Sequence, residues 1–165
     1  MTSQMPLRLE RVGYTHPDAA RLVADVQAEY VLRYGTPDEA PVVQDMFDLQ
    51  SGSFYVGYLG DEPVATGAWK RRSDVMAFGT RNVAEIKRMY VVIPVRGQGL
   101  ARLVLTHLES TAIAAGIEAL VLETGTAQPE AITLYESSGY LAIPDFGHYA
   151  GDPMVRSFGK LLVGG

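Results

Sequence analysis

The stretch Met89-Tyr90-Val91-Val92-Ile93-Pro94-Val95-Arg96-Gly97-Gln98-Gly99-Leu100-Ala101-Arg102 runs from an apolar segment through a glycine turn into an amphipathic one. Val83 to Val92 reads as a long strand, Pro94 to Gly99 as a turn, and Leu100 to Ala115 as a helix. Leu100, Leu103, Val104, Leu108, Ala112 and Ala115 fall near one stripe, and Gly116 is a natural cap at the end. The first N–H groups of a helix have no backbone partner, and its dipole favours negative charge there. Glycines let an anion approach the backbone, and Arg96 and Arg102 add positive charge. The turn therefore reads as an anion site. A P-loop would need GxxxxGK[ST], which is absent, and a dinucleotide fingerprint would need a third glycine where Arg102 stands. For Gly97 and Gly99 alone, chance glycines at a helix start are the alternative.

Outward from this unit the pattern is regular. Leu7 to Tyr14 reads as a strand and Pro17 to Tyr34 as a helix, with Leu22, Val23, Val26, Tyr30 and Arg33 on one face and Gly35 at its end. Thr36 to Gln50 is acidic and reads as loop with a short helix. Ser53 to Leu59 and Val64 to Arg71 form a hairpin around Gly60-Asp61-Glu62, and Ser73 to Thr80 is a loop. Beyond the central helix come a short buried strand, Ala119 to Glu123, a helix, Pro129 to Ser138, and two last strands, Tyr140 to Ile143 and Val155 to Val163. Gly164-Gly165 reads as frayed. Antiparallel hairpins thus surround one strand–helix–strand unit, whose crossover the handedness rule makes right-handed. The fold class is α/β (α+β), a mixed, mostly antiparallel central sheet with flanking helices.

The 165 residues predict a single domain over 1–165. There are no cysteines, so disulfides, thiolate metal sites and a cysteine nucleophile are excluded. His16, His107 and His148 make no metal-ligand pair, and no metal is expected. No signal-like or membrane-length apolar run is present, so the expected location is the cytoplasm. The net charge of −5 argues against nucleic acid as a partner. The charge is uneven, however. Eight of the fourteen basic residues lie between Lys70 and Arg102, with only Asp74 and Glu85 opposing them. Such a field suits a small polyanionic ligand; a solvated basic face is the alternative.

The strand end Met89-Tyr90-Val91, followed by Arg-x-x-Gly-x-Ala at 96, 99 and 101, resembles the acetyl-CoA-binding motif of the GCN5-related N-acetyltransferase (GNAT) family. Downstream, Ala131-x-x-Leu134-Tyr135-x-x-x-Gly139-Tyr140 resembles the second signature of that family. The resemblance covers about residues 50–163. It implies the acyl-CoA N-acyltransferase fold, with a V-shaped splay between the third long strand and the strand Ala119 to Glu123. It implies acetyl-CoA as cosubstrate, with pantetheine pairing to the backbone of Met89 and Val91. Met89, Tyr90, Val91, Arg96, Gly97, Gln98, Gly99, Leu100, Ala101 and Arg102 would form the cofactor site, the pyrophosphate lying on the amides from Arg96 to Arg102. One position departs from the pattern. Gln128, followed by Pro129, stands where many members carry the asparagine that contacts pantetheine.

Acetyl transfer needs a neutral amine, a base or water relay, an oxyanion donor and an acid for the leaving thiolate. The resemblance puts Tyr135 in the acid position; its alternative is an aromatic on a packed helix. A backbone N–H near Val91 is the expected oxyanion donor. Glu85 matches the base position of the family's histone-modifying members, and period-two alternation sets it on one face with Lys87 and Met89. Its alternative is an ion-pair partner of nearby basic residues. Glu123, at the end of the next strand, is the second candidate base, against ammonium binding or a structural role. His148 is a third. Asp145, Phe146, His148 and Tyr149, in the loop between the last strands, suit an amine by charge and cation–π contact, or else core packing or a homodimer contact. Asp38, Glu39, Asp45 and Asp48 offer acids on the substrate side, whereas Arg71 and Arg72 would greet a carboxylate. Trp69 is expected in the core.

The resulting expectation is an N-acetyltransferase acting on a small-molecule amine by direct transfer in a ternary complex. A protein lysine or N-terminal acetyltransferase and a non-catalytic acyl-CoA sensor are the alternatives. The absence of cysteine excludes an acyl-cysteine intermediate.

Overall fold

The computed structural model describes residues 6–39, 47–48 and 50–162. Asp45 and most of the segment expected to hold a short helix lie outside them, as do Val163 and the terminal glycines. The elements are β1 (Leu7–Arg11), α1 (Pro17–Tyr34), β2 (Gly52–Leu59), β3 (Glu62–Arg71), β4 (Val83–Val91), α2 (Leu100–Ala114), β5 (Ala119–Gly125), α3 (Pro129–Ser137), β6 (Leu141–Ala142) and β7 (Val155–Leu161), with a 3-10 turn at Ile93–Val95. The strands form one sheet in the order β1-β2-β3-β4-β5-β7-β6. Among its pairs only β4 and β5 run parallel.

Helix α1 has the bounds its sequence predicts because both ends carry stops. Pro17 sits in the first turn, the His16 ring accepts the Asp18 N–H at 3.1 Å, and Gly35 closes the helix at φ 82°. Ala19, Leu22 and Val26 pack with Phe54, Val56 and Ala68 on one face of the sheet. On the other face α2 buries Leu100, Val104, Leu105, Leu108 and Ala112 against Trp69, Ile86 and Leu120. Leu103, expected on that stripe, is exposed and Leu105 takes its place. The 3.6-residue turn carries Leu105 into the stripe centred near Val104 and Leu108, and Leu103 out of it. Trp69 is core, its indole N–H donating to Thr111 Oγ1 at 3.1 Å. β1 and β6 are shorter than expected, and the Tyr140 side chain is turned into the α2–α3 layer. No helix among the described residues is long and apolar enough to cross a membrane.

Candidate functional site

β4 and β5 stay paired for three rungs only, Val83–Ala119, Ala84–Leu120 and Glu85–Val121. Beyond Glu85 they part, and a cavity of about 550 Å³ opens between them. A bulge re-aims β4 just where it leaves its neighbour. Arg88 and Met89 together oppose Gly67, and Arg88 takes φ 56°. An inserted residue bends a strand and resets which face each later side chain uses. Glu85 and Lys87 keep the α1 face, Met89 packs into the α2 core, and Tyr90 returns to the α1 core. The common face expected for Glu85, Lys87 and Met89 is thereby corrected: it ends at Lys87. The Val92 N–H donates to Val64 O at 2.9 Å. Alternation therefore points the backbone groups of Met89 and Val91 into the splay.

The glycine turn opens onto the same cavity. Gly97 and Gly99 take φ 83° and 79°, in the left-handed region that favours glycine. The first helical bond runs from the Leu103 N–H to Gly99 O at 3.2 Å. Among the described residues, the amides from Gly97 to Arg102 have no protein acceptor. Gly97, Gly99, Leu100, Ala101 and Arg102 line the cavity, while Gln98 is exposed and outside the lining. These amides and the open β4 edge are what a pyrophosphate and a pantetheine amide require, so the residues present fit CoA. The two arginines are less free than their sequence position implies. Arg96 donates to Glu29 Oε1 at 2.7 Å and to Val91 O at 2.8 Å, and so fastens the turn to α1. Arg102 donates to the hydroxyls of Ser137 and Ser138, at 2.8 Å each, on the last turn of α3.

Tyr135, Glu123, Glu85 and Gln128 all line this cavity. The Tyr135 ring is buried edge-on against Tyr140, 5.7 Å between centroids. Its hydroxyl has no hydrogen-bond partner among the described residues, and burial holds its pKa well above the usual phenol value. Tyr30 lines the same wall and is pushed up to about 12, first by burial and then by the charge of Asp38. Both phenols stay protonated across neutral pH. Glu85 is buried with Arg72 Nη1 at 2.6 Å from one oxygen and Lys87 Nζ at 3.5 Å from the other. Glu123 differs. Among the described residues it accepts only the Tyr149 N–H, at 3.2 Å. Burial, then the nearby charge of Glu85, raise its pKa from its ordinary value. Gln128 accepts the Tyr34 hydroxyl at 3.1 Å at the entrance to α3.

The far wall joins two loops that are remote in sequence. Asp38 accepts from Arg88 Nη1 and from the Tyr149 hydroxyl, each at 2.7 Å. Arg88 is buried, with its Nε unpartnered. Sequence reasoning named Asp38 and Tyr149 but missed Arg88, Tyr30 and Glu29; no local signal marks the bulge that turns Arg88 inward. Other candidates lie elsewhere. Phe146 packs with Val75, Ala77 and Val83 and lies under Arg72, so packing is its role. Asp145 is bound to Ser157 and the Gly151 N–H, both within its own loop and the adjoining strand. Glu39 and Asp48 are exposed. Arg71 donates to the carbonyls of Gln50 and Ala115, and Arg72 is held by Asp74 and Glu85. His148 is exposed at a separate basic pocket.

Comparison with known proteins gives a consistent result. A model of the acetyltransferase (GNAT) family matches residues 21–140. A curated protein from Azospirillum brasilense named IAA acetyltransferase is 43% identical over 78 residues, 47% of this chain and 51% of that one, so the chain spans about half the length of this relative. Among solved structures, a Klebsiella pneumoniae protein assigned to the acyl-CoA N-acyltransferases superposes with a TM-score of 0.77 at 25% identity, covering 95% of this chain and 98% of the other. The GNAT domain of S. lividans PAT gives 0.70 at 22% identity, over 94% and 90% of the two chains, a likeness of fold.

Proposed function

The chain belongs to the acetyltransferase (GNAT) family, and from that premise we propose that it is an acetyl-CoA-dependent N-acetyltransferase of a small-molecule amine. The observation that carries this reading is one cavity holding three things. These are the unpartnered amides of Gly97 to Arg102, a partnerless Tyr135 hydroxyl, and a Glu123 carboxylate raised in pKa.

Acetyl-CoA supplies an activated acetyl thioester. The amides from Gly97 to Arg102 bind its pyrophosphate, assisted by the helix dipole rather than by the engaged side chains of Arg96 and Arg102. The backbone of Met89 and Val91 pairs with pantetheine along the open edge of β4, and the amide near Val91 is the oxyanion donor. Tyr135 protonates the leaving thiolate. Its hydroxyl is protonated at neutral pH and unpartnered among the described residues, so its proton is available to the sulfur. Glu123 takes the proton from the amine. Its backbone donor and raised pKa suit a base better than Glu85, which already has a cation at each oxygen. Glu85 acts instead as a positioning residue. It holds Arg72 and Lys87, and its charge keeps Glu123 basic. The amine attacks directly, since no cysteine exists to carry the acetyl group.

The test is thiol release by the full chain with acetyl-CoA across amines, amino acids, polyamines and peptides. Turnover of a small amine with intersecting initial-rate lines supports the reading. Acetyl-CoA binding with no thiol release from any acceptor makes the protein a sensor, and release from peptides alone makes it a protein acetyltransferase.

A further inference from the structure

We propose that the acceptor amine also carries a carboxylate, bound by Lys70 and Lys87 with His148 at the rim, in a basic pocket adjoining the acceptor side of the cleft. This inference names the substrate class of the site above and rests on the acetyltransferase reading of it.

The pocket, of about 310 Å³, adjoins the main cavity, and Glu85 and Lys87 line both. Its position follows from sheet register. Lys70 on β3 is the cross-strand partner of Glu85 on β4, and Lys87 follows two residues on, before the bulge ends that face. The charge is unbalanced. Among the described residues that line it, Lys70, Arg71, Arg72 and Lys87 face only Asp74 and Glu85. The arginines are occupied, Arg72 by the two acids and Arg71 by backbone carbonyls. Lys87 shares Glu85 with Arg72, and Lys70 has no ion pair or hydrogen bond among the described residues. Burial, then the charges of Arg72 and Lys87, hold the Lys70 ammonium below its usual pKa, a repulsion that a bound carboxylate relieves. The cofactor's phosphates do not account for the pocket. Six residue steps, one of them through the bulged Arg88, lead from Glu85 to Val91, at most about 20 Å of strand, and the pyrophosphate amides begin beyond that. Four basic residues of the Lys70–Arg102 cluster therefore gather at the opposite end of β4 from the glycine turn.

The experiment uses the full chain, acetyl-CoA and ω-amino acids from glycine to 6-aminohexanoate, each compared with its amide. At the chain length that spans the two sites, kcat/KM for the acid exceeds that for the amide by about tenfold or more. Lys70→Ala removes this preference through KM for the acid, Lys70→Arg keeps most of it, and the acetyl-CoA dissociation constant is the same in all three proteins. Equal rates for acid and amide at every length, or a preference that survives Lys70→Ala, overturn the proposal while leaving the acetyltransferase reading intact. Should no amine in the series turn over, calorimetric titration with glutarate reads the pocket by itself. Binding that Lys70→Ala abolishes supports it, and no binding overturns it. Failure of the acetyltransferase reading has a different signature, namely no thiol release from any acceptor in the wider screen.

Discussion

Gly147 lies against the carboxylate of Glu123, leaving no room between them for a Cβ. The loop between β6 and β7 thus sets the side-chain position of a residue on β5. Together with the Tyr149 N–H, the contact closes one side of the carboxylate.

Gly147→Ala is expected to displace Glu123 rather than to unfold the loop. The obstructed atoms are the far end of a flexible side chain, which moves at little cost. A misplaced base lowers kcat, by up to about 100-fold for a shift near 1 Å. The melting temperature and acetyl-CoA affinity stay close to wild type. Steady-state kinetics beside a thermal melt check this, and an unchanged kcat removes Glu123 from proton transfer.

The pH profile gives a second test. Burial and the charge of Glu85 raise the Glu123 pKa. The base form fills only as pH rises through that raised value, so the acid-side fall in kcat lies at higher pH than for an unperturbed glutamate. The linkage has the opposite sense for stability. Because its folded pKa is raised, Glu123 contributes stability below its unfolded pKa, and that contribution is lost as pH rises through the folded one. Glu85→Gln removes the neighbouring negative charge while Arg72 keeps Asp74. The acid limb of the rate profile should then move to lower pH. A limb that stays in place means another group controls it.

Tyr135→Phe separates chemistry from packing. The hydroxyl is partnerless and the ring sits among Tyr140 and Phe158, so the variant keeps the packing and loses no hydrogen bond. Removing a buried hydroxyl that makes no bond is neutral or slightly stabilising. Loss of a general acid costs about 100-fold or more in kcat. The expected result is an unchanged melt, an unchanged acetyl-CoA dissociation constant and a strongly reduced turnover. Wild-type turnover would leave Tyr135 as a packed aromatic.

The legible and illegible parts of the site divide on physical grounds. Helix α1 ends where Pro17 and Gly35 say it should, because both act within one turn of themselves. The glycine turn was legible for the same reason: Gly97 and Gly99 mark positive φ wherever the rest of the chain goes. The bulge at Arg88 was not. Period-two reading assumes an unbroken strand, and the residue that faces the bulge, Gly67, lies on another strand. Arg96 reads as a free phosphate ligand until α1 folds over it and supplies Glu29 from 67 positions away. The eight clustered basic residues likewise read as one field. Folding divides them between two ends of β4 and neutralises most of them against carboxylates or carbonyls. Local conformation is written in neighbouring residues, whereas side-chain partnership across the sheet depends on register that a single strand does not reveal.

The glycine turn affords a prediction that distinguishes backbone strain from electrostatic exclusion. Gly99 caps α2 at φ 79°, and nothing lies within 4 Å of where its Cβ would be. Gly99→Ala therefore meets no steric obstacle within the protein. It has only the left-handed conformation to bear, about 1–2 kcal/mol, seen as a modest drop in melting temperature. Gly99→Glu carries the same strain and adds a carboxylate in front of the unpartnered amides. If those amides bind pyrophosphate, the two variants melt alike, yet calorimetry finds acetyl-CoA binding weakened in the alanine variant and lost in the glutamate variant. Equal affinities in the two would mean that no anion of the cofactor approaches this turn, and the amides from Gly97 to Arg102 would have to be released from the cofactor site.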